Sequence, residues 1–199
     1  MSRPSPGTRL VVVGCSWGGL EAVASVLEAL PPDADCVMAV AQHRSAARSP
    51  LAELWARHTT WPVLEPEDKE PISARHVYVA PPSYHLMVEG AHLALSTEAP
   101  HNHSRPSIDV LFESAARAWG HRVVAVVLTG SNADGAAGAA AVAARGGPVI
   151  VQDPADAPHP EMPRATVAAV PSATVLPVAA IGGHLARLCP AAADPRSKV

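Results

Sequence analysis

The sequence predicts a doubly wound α/β domain: a mainly parallel sheet with helices on both faces and an antiparallel hairpin inserted midway. Three observations carry that expectation. Continuous apolar runs at Leu10–Val13, Val37–Ala41 and Val123–Leu128 suit strands buried on both faces. Segments with apolar residues at helical spacing alternate with those runs. The 199 residues are 48% hydrophobic and 17% charged, which is enough apolar surface for a core and excludes a disordered chain.

The elements follow in order. After Leu10–Val13 comes the tight turn Gly14-Cys15-Ser16-Trp17-Gly18-Gly19. Leu20 to Leu30 is helical, with Leu20, Val23, Ala24, Leu27 and Leu30 on one face and Pro31-Pro32 as its stop. Val37–Ala41 is the second strand, and Pro50 starts a helix running to about His58. His76–Ala80 and Tyr84–Val88 are short β-prone runs flanking Pro81-Pro82, and Glu89-Gly90 turns the chain into His92–Ser96. From Ser107 a helix places Ile108, Leu111, Phe112, Ala115 and Ala116 on one face and ends near Gly120. Val123–Leu128, an Ala-rich helix to Arg145 and the strand Val149–Gln152 form the next unit. A short helix near Met162–Ala169, a strand near Thr174–Leu176 and a helix from Ala179 to Leu188 complete the chain. No internal repeat or domain break appears, so one domain over 10–189 is expected between an N-terminal tail, 1–9, and a C-terminal tail, 190–199.

Composition narrows the function classes. Lys+Arg number 15 against 18 Asp+Glu, with no basic stripe, so nucleic acid is not the expected partner. No apolar run approaches the ~18–20 residues a bilayer span needs, and the first residues lack the apolar stretch of a signal peptide. Membrane insertion is therefore not expected. Cys15, Cys36 and Cys189 are too scattered for a disulfide framework or a zinc site, which favours a cytoplasmic location.

In parallel sheets, ligands gather beyond the carboxyl ends of the strands. Three such ends carry reactive side chains: Ser16, His43 and Asp134. A serine hydroxyl becomes a nucleophile when an imidazole takes its proton, and a carboxylate on the other ring nitrogen fixes the tautomer. Each residue also has a plainer reading. Ser16 could cap a helix or hold an anion, His43 could be one loop histidine among ten, and Asp134 could cap the Ala-rich helix. Their joint placement on one edge favours catalysis. Gly14-Cys15-Ser16-Trp17-Gly18 fits G-x-S-x-G, but the chain order, with serine first and histidine 27 residues later, departs from the α/β-hydrolases. G-x-x-x-G-G is not the dinucleotide fingerprint, and Gln42-His43 stands where an acidic residue would close the second strand. His101, His103, Asp109 and His121 match no established ligand spacing, so no metal is expected. Trp55, Trp61 and Trp119 are read as packing residues.

Taken together, Gly14-Cys15-Ser16-Trp17-Gly18-Gly19, Gln42-His43 and Leu128-Thr129-Gly130-Ser131-Asn132-Ala133-Asp134-Gly135 resemble the catalytic domain of the chemotaxis protein-glutamate methylesterases, the CheB family. Tyr78 to His85, Arg105 to Phe112 and Met162-Pro163-Arg164 support the resemblance, which spans roughly Val11 to Leu188. It implies a serine hydrolase that cleaves glutamyl methyl esters on a methylated chemoreceptor or similar signalling protein, releasing methanol, and that often deamidates glutamines. Ser16 falls at the nucleophile, His43 at the base and Asp134 at the triad acid. Backbone N–H groups near Trp17 and Ser131 fall at the oxyanion site, and neither a metal nor an organic cofactor is implied.

The sequence departs from the family pattern at several points. Trp17 stands where S-T-G-G has Thr, and Arg44-Ser45 replaces the Met-Pro of Q-H-M-P. Asn132 replaces a glycine of G-M-G-x-D-G and is expected to tolerate a left-handed backbone. Trp17 and Arg44 are expected to redirect substrate choice. With nine residues before the first strand, a standalone form without a receiver domain is expected, its cleft open by default. The alternatives are a catalytically weak CheB-like docking module and a hydrolase of another ester.

Overall fold

A computed structural model describes residues 4–44 and 50–191. Ser45 and residues 192–199 of the expected C-terminal tail lie outside the described residues.

Seven parallel strands form the central sheet. They are β1 (Arg9–Cys15), β2 (Cys36–Gln42), β3 (Val63–Leu64), β4 (Val77–Val79), β7 (Val123–Val127), β8 (Val149–Gln152) and β9 (Thr174–Leu176), in the order β3-β4-β2-β1-β7-β8-β9. The expected hairpin is β5 (His85–Glu89) paired antiparallel with β6 (His92–Ser96), as a separate two-stranded sheet. Alternation within the strands divides the core. Val11, Val13, Met38, Val40, Val124 and Val126 face α1 (Gly19–Glu28), α2 (Leu51–Trp55) and α6 (Val178–Leu188). Leu10, Val12, Val37, Ala39, Ala125 and Val127 face the hairpin, α3 (Ile108–Trp119), α4 (Ala136–Ala143) and α5 (Glu161–Ala169).

The doubly wound expectation holds, with adjustments that have local causes. The helix expected to run to His58 changes after Trp55 into a 3-10 turn, Ala56–His58. β3 was not anticipated: two residues between Pro62 and Glu65 carry no periodicity, and only pairing with β4 extends them. Residues 4–8, read as tail, are tied down. Buried Thr8 donates through Oγ1 to Asp35 at 2.7 Å, and Ser5 Oγ donates to the same carboxylate. Trp55, Trp61 and Trp119 are buried, each indole N–H donating to a carbonyl, as packing tryptophans should. The three cysteines are free and buried. No helix among the described residues is long and apolar enough to cross a membrane.

The winding reverses at β1. The chain leaves β1 towards β2 and β4 on one side and later returns to β7, β8 and β9 on the other. The carboxyl ends of β1 and β7 therefore border the switch point, where a crevice opens in such sheets.

Candidate active site

The backbone brings Ser16 and His43 to neighbouring strand ends. Ser16 N–H donates to Thr129 O at 2.9 Å, carrying the β1–β7 pairing past β1, and His43 N–H donates to Cys15 O at 3.0 Å on the other side. The chain then turns sharply. Gly19 N–H donates to Ser16 O at 2.9 Å, and Gly18, at φ 77°, takes a left-handed conformation that few other residues adopt without strain. Trp17 is pushed outward, 70% exposed, with its ring 6.2 Å from that of His159. Burial pushes the thiol of Cys15 well up, so the neighbouring sulfur is protonated at neutral pH and is no rival nucleophile.

Asp134 does not cap the Ala-rich helix that follows it. Gly135 takes that position without a side-chain cap. Instead, Asp134 reaches across to the start of α3. Its Oδ1 accepts from Ser107 Oγ at 3.0 Å and Asp109 N–H at 3.1 Å, and its Oδ2 accepts from Ile108 N–H at 2.8 Å. His43 Nε2 completes the set at 2.7 Å from Oδ2. Burial pushes this carboxyl up, but the hydrogen bonds from His43, Ile108 and Asp109 outweigh it and hold Asp134 down at about 2. Ionised, it can only accept, so Nε2 carries the imidazole proton and Nδ1 is the free base nitrogen.

Asp109 returns the favour to α4. Its Oδ1 accepts from Gly135 N–H at 2.9 Å and Gly138 N–H at 2.7 Å, and its Oδ2 accepts from Asn102 Nδ2 at 3.0 Å. Burial raises its pKa. Of the four residues weighed as ligands, only His101 and Asp109 meet: with Asp134, their ligand atoms lie within 4.8 Å of one another. Their geometry is structural, since every carboxylate oxygen there already accepts N–H or O–H donors. His103 instead lines a cleft of about 290 Å³ bordered by His43, Arg44 and Arg105.

Asn132 does not use the left-handed backbone that asparagine tolerates, being absent from the positive-φ residues. Its side chain is engaged instead: Oδ1 accepts from Asp134 N–H at 3.1 Å, and Nδ2 faces His43 Nδ1 at 3.3 Å. The bond to Asp134 N–H is a local one that asparagine commonly makes two residues on, whereas the contact with His43 was not legible beforehand, because it depends on where β2 ends. Arg44 is only 7% exposed at its side chain, and its guanidinium leans away to Glu65 and to Ala80 O. Its Nε and Nη1 are buried without partners among the described residues. The N–H groups of Trp17 and Ser131 meet no protein acceptor among the described residues.

A carboxylate-oriented histidine beside a serine, on the carboxyl edge of a parallel sheet, is the equipment of a serine-hydrolase type of α/β domain. The sequence model of CheB methylesterase matches residues 11–185, and the chain belongs to that family. It is 39% identical over 190 residues to the protein-glutamate methylesterase/protein-glutamine glutaminase of Nocardioides sp., covering 92% of this chain and 51% of that one. It therefore spans about half the length of that relative. It is 36% identical to a putative protein-glutamate methylesterase/protein-glutamine glutaminase of Leptospira interrogans, covering 89% of this chain and 93% of that one. The crystal structure of the Thermotoga maritima CheB methylesterase catalytic domain superposes with a TM-score of 0.85 at 29% identity, covering 91% of this chain and 98% of that one.

Proposed function

We propose that this chain hydrolyses glutamate γ-methyl esters on chemoreceptors, releasing methanol, and hydrolyses the matching glutamine side chains to glutamate and ammonia. The observation that carries the reading is the His43–Asp134 bond of 2.7 Å, which holds the proton on Nε2 and leaves Nδ1 deprotonated on the residue next to Ser16 across β1 and β2. Ser16 Oγ attacks the ester carbonyl carbon as its proton passes to His43 Nδ1. The carbonyl π electrons move onto oxygen, which the N–H groups of Trp17 and Ser131 receive. Collapse breaks the bond to methoxide, which takes the proton from His43 and leaves as methanol. Water, deprotonated by His43, then attacks the acyl-enzyme, and Ser16 departs with the proton to give glutamate. Asp134 stays ionised throughout and steadies the imidazolium.

The names of the Nocardioides and Leptospira relatives support both the ester and the amide reaction. The test is methanol release from methylated receptor. Ser16→Ala is expected to lower it by ~10⁴–10⁶-fold with unchanged folding. Wild-type turnover in Ser16→Ala would overturn the serine mechanism. Receptor binding without methanol release by the wild-type chain would favour a docking module.

A further inference from the structure

We infer that Asn132 is a positioning residue that caps the base nitrogen of His43 in the resting site and must swing away before Ser16 can transfer its proton. The inference rests on the reading of Ser16 as nucleophile and His43 as base. The orientations of both groups follow from hydrogen-bond logic. Asp134 Oδ2, an ionised carboxylate, takes the proton on Nε2, which leaves Nδ1 with a single in-plane lone pair. Asn132 Oδ1 accepts from the Asp134 N–H, which leaves Nδ2 as the group 3.3 Å from Nδ1. Turning the amide over would set N–H against N–H at Asp134.

Among the described residues Ser16 Oγ makes no hydrogen bond to His43, and the donor present at Nδ1 is Asn132. One lone pair cannot serve two strong donors, so the amide and the serine hydroxyl compete for it. Once Nδ1 has taken the proton, it becomes a donor and the Asn132 Nδ2 contact turns repulsive. Asn132 therefore favours the resting imidazole over the imidazolium formed during reaction, and this differential contact makes it a restraint on the reaction. The CheB-like motif carries glycine at this place, which has no side chain to compete.

The test uses a fluorophosphonate, which phosphonylates an activated serine and needs no receptor. Asn132→Gly is expected to raise the second-order labelling rate of Ser16 by roughly two- to tenfold, the span of one net neutral hydrogen bond. Asn132→Ser serves as the second variant, because its hydroxyl can still accept from Asp134 N–H but is too short to reach the imidazole. It too should label faster. In ¹⁵N spectra, the His43 Nδ1 resonance should shift in both variants as the Asn132 amide gives way to the Ser16 hydroxyl, and a further substitution of Ser16→Ala should shift it again, while Nε2 stays protonated. Labelling at or below the wild-type rate in a folded variant would overturn the inference, since a merely structural residue gives that result. Failure of Ser16 to label in any form, judged against Ser16→Ala, would overturn the serine reading and the cap with it.

Discussion

Asp134 shows how one side chain serves both the proposed chemistry and the fold. Four donors converge on its two oxygens: Ser107 Oγ and Asp109 N–H on Oδ1, and Ile108 N–H and His43 Nε2 on Oδ2. Asparagine offers a single oxygen, so in Asp134→Asn two of those donors face an NH₂ group. The variant is expected to lose ~10⁴-fold in methanol release, as other triads do when the histidine tautomer is no longer fixed. It should also lose roughly 1–3 kcal/mol of stability from the donors left unsatisfied. Urea unfolding read beside methanol release checks both effects. Ser16→Ala removes a hydroxyl that makes no hydrogen bond among the described residues, and should lose only the activity. An Asp134→Asn protein of wild-type stability would mean that the helix start at Ser107 does not depend on the carboxylate.

Two helices are joined at their N-termini by an exchange of carboxylates. Asp134, on the strand side of α4, receives the first N–H groups of α3, and Asp109, in the first turn of α3, receives those of α4. Each carboxylate sits where the helix dipole favours negative charge. Their pKa values move in opposite directions, which sets the acid response. Asp134 is lowered to about 2, so its contribution is fully present above the ordinary carboxylate range and is lost as pH falls from ~4 towards 2. Asp109 is raised by burial, so its ionised form costs stability that returns as pH falls through its folded pKa. Denaturant-unfolding stability should therefore drop by about 2 kcal/mol between pH 4 and 2 through Asp134, and this drop should vanish in Asp134→Asn. A drop of equal size in that variant would assign the acid loss to other groups. At this scale much was legible. Val149–Gln152 is the strand read there, because its apolar run Val149–Val151 lies between Gly146-Gly147-Pro148 and Asp153-Pro154, and a strand falls near Thr174–Leu176 as read. The exchange itself was not legible: it joins residues 25 to 29 apart, and the sequence offers Asp134 as a triad acid or a local cap and Asp109 as a stray ligand.

The whole molecule separates its two edges. At the amino ends of the strands, Arg9 donates through Nε to Leu188 O at 3.0 Å and through Nη1 to His121 O at 3.2 Å, fastening the end of α6 beneath β1. At the carboxyl ends stand Ser16, His43 and the 128–134 loop, with the seven residues of β1 between the edges, about 20 Å of strand. That Ser16, His43 and Asp134 lie beyond strand ends could be read from the sequence because each follows a strand built on a continuous apolar run, Leu10–Val13, Val37–Ala41 or Val123–Leu128. Their mutual orientation could not, because Asn132 and Ser107 act only once β2, β7 and α3 have met. If the edges are independent, damage at the lower one should cost stability without touching chemistry. Leu185, fully buried on α6 among the residues facing α1, tests this. Leu185→Ala is expected to cost about 2–5 kcal/mol from lost burial and the cavity left behind. In a domain of this size that lowers Tm by several degrees, at roughly 2–4 °C per kcal/mol. Measured well below its own Tm, the variant should keep methanol release within about twofold of wild type, since among the described residues the side-chain hydrogen bonds of His43, Asp134 and Asn132 run to one another and to the start of α3. A tenfold loss in the folded variant would show that packing under β1 is transmitted up the strand to Ser16, and that the two edges work as one.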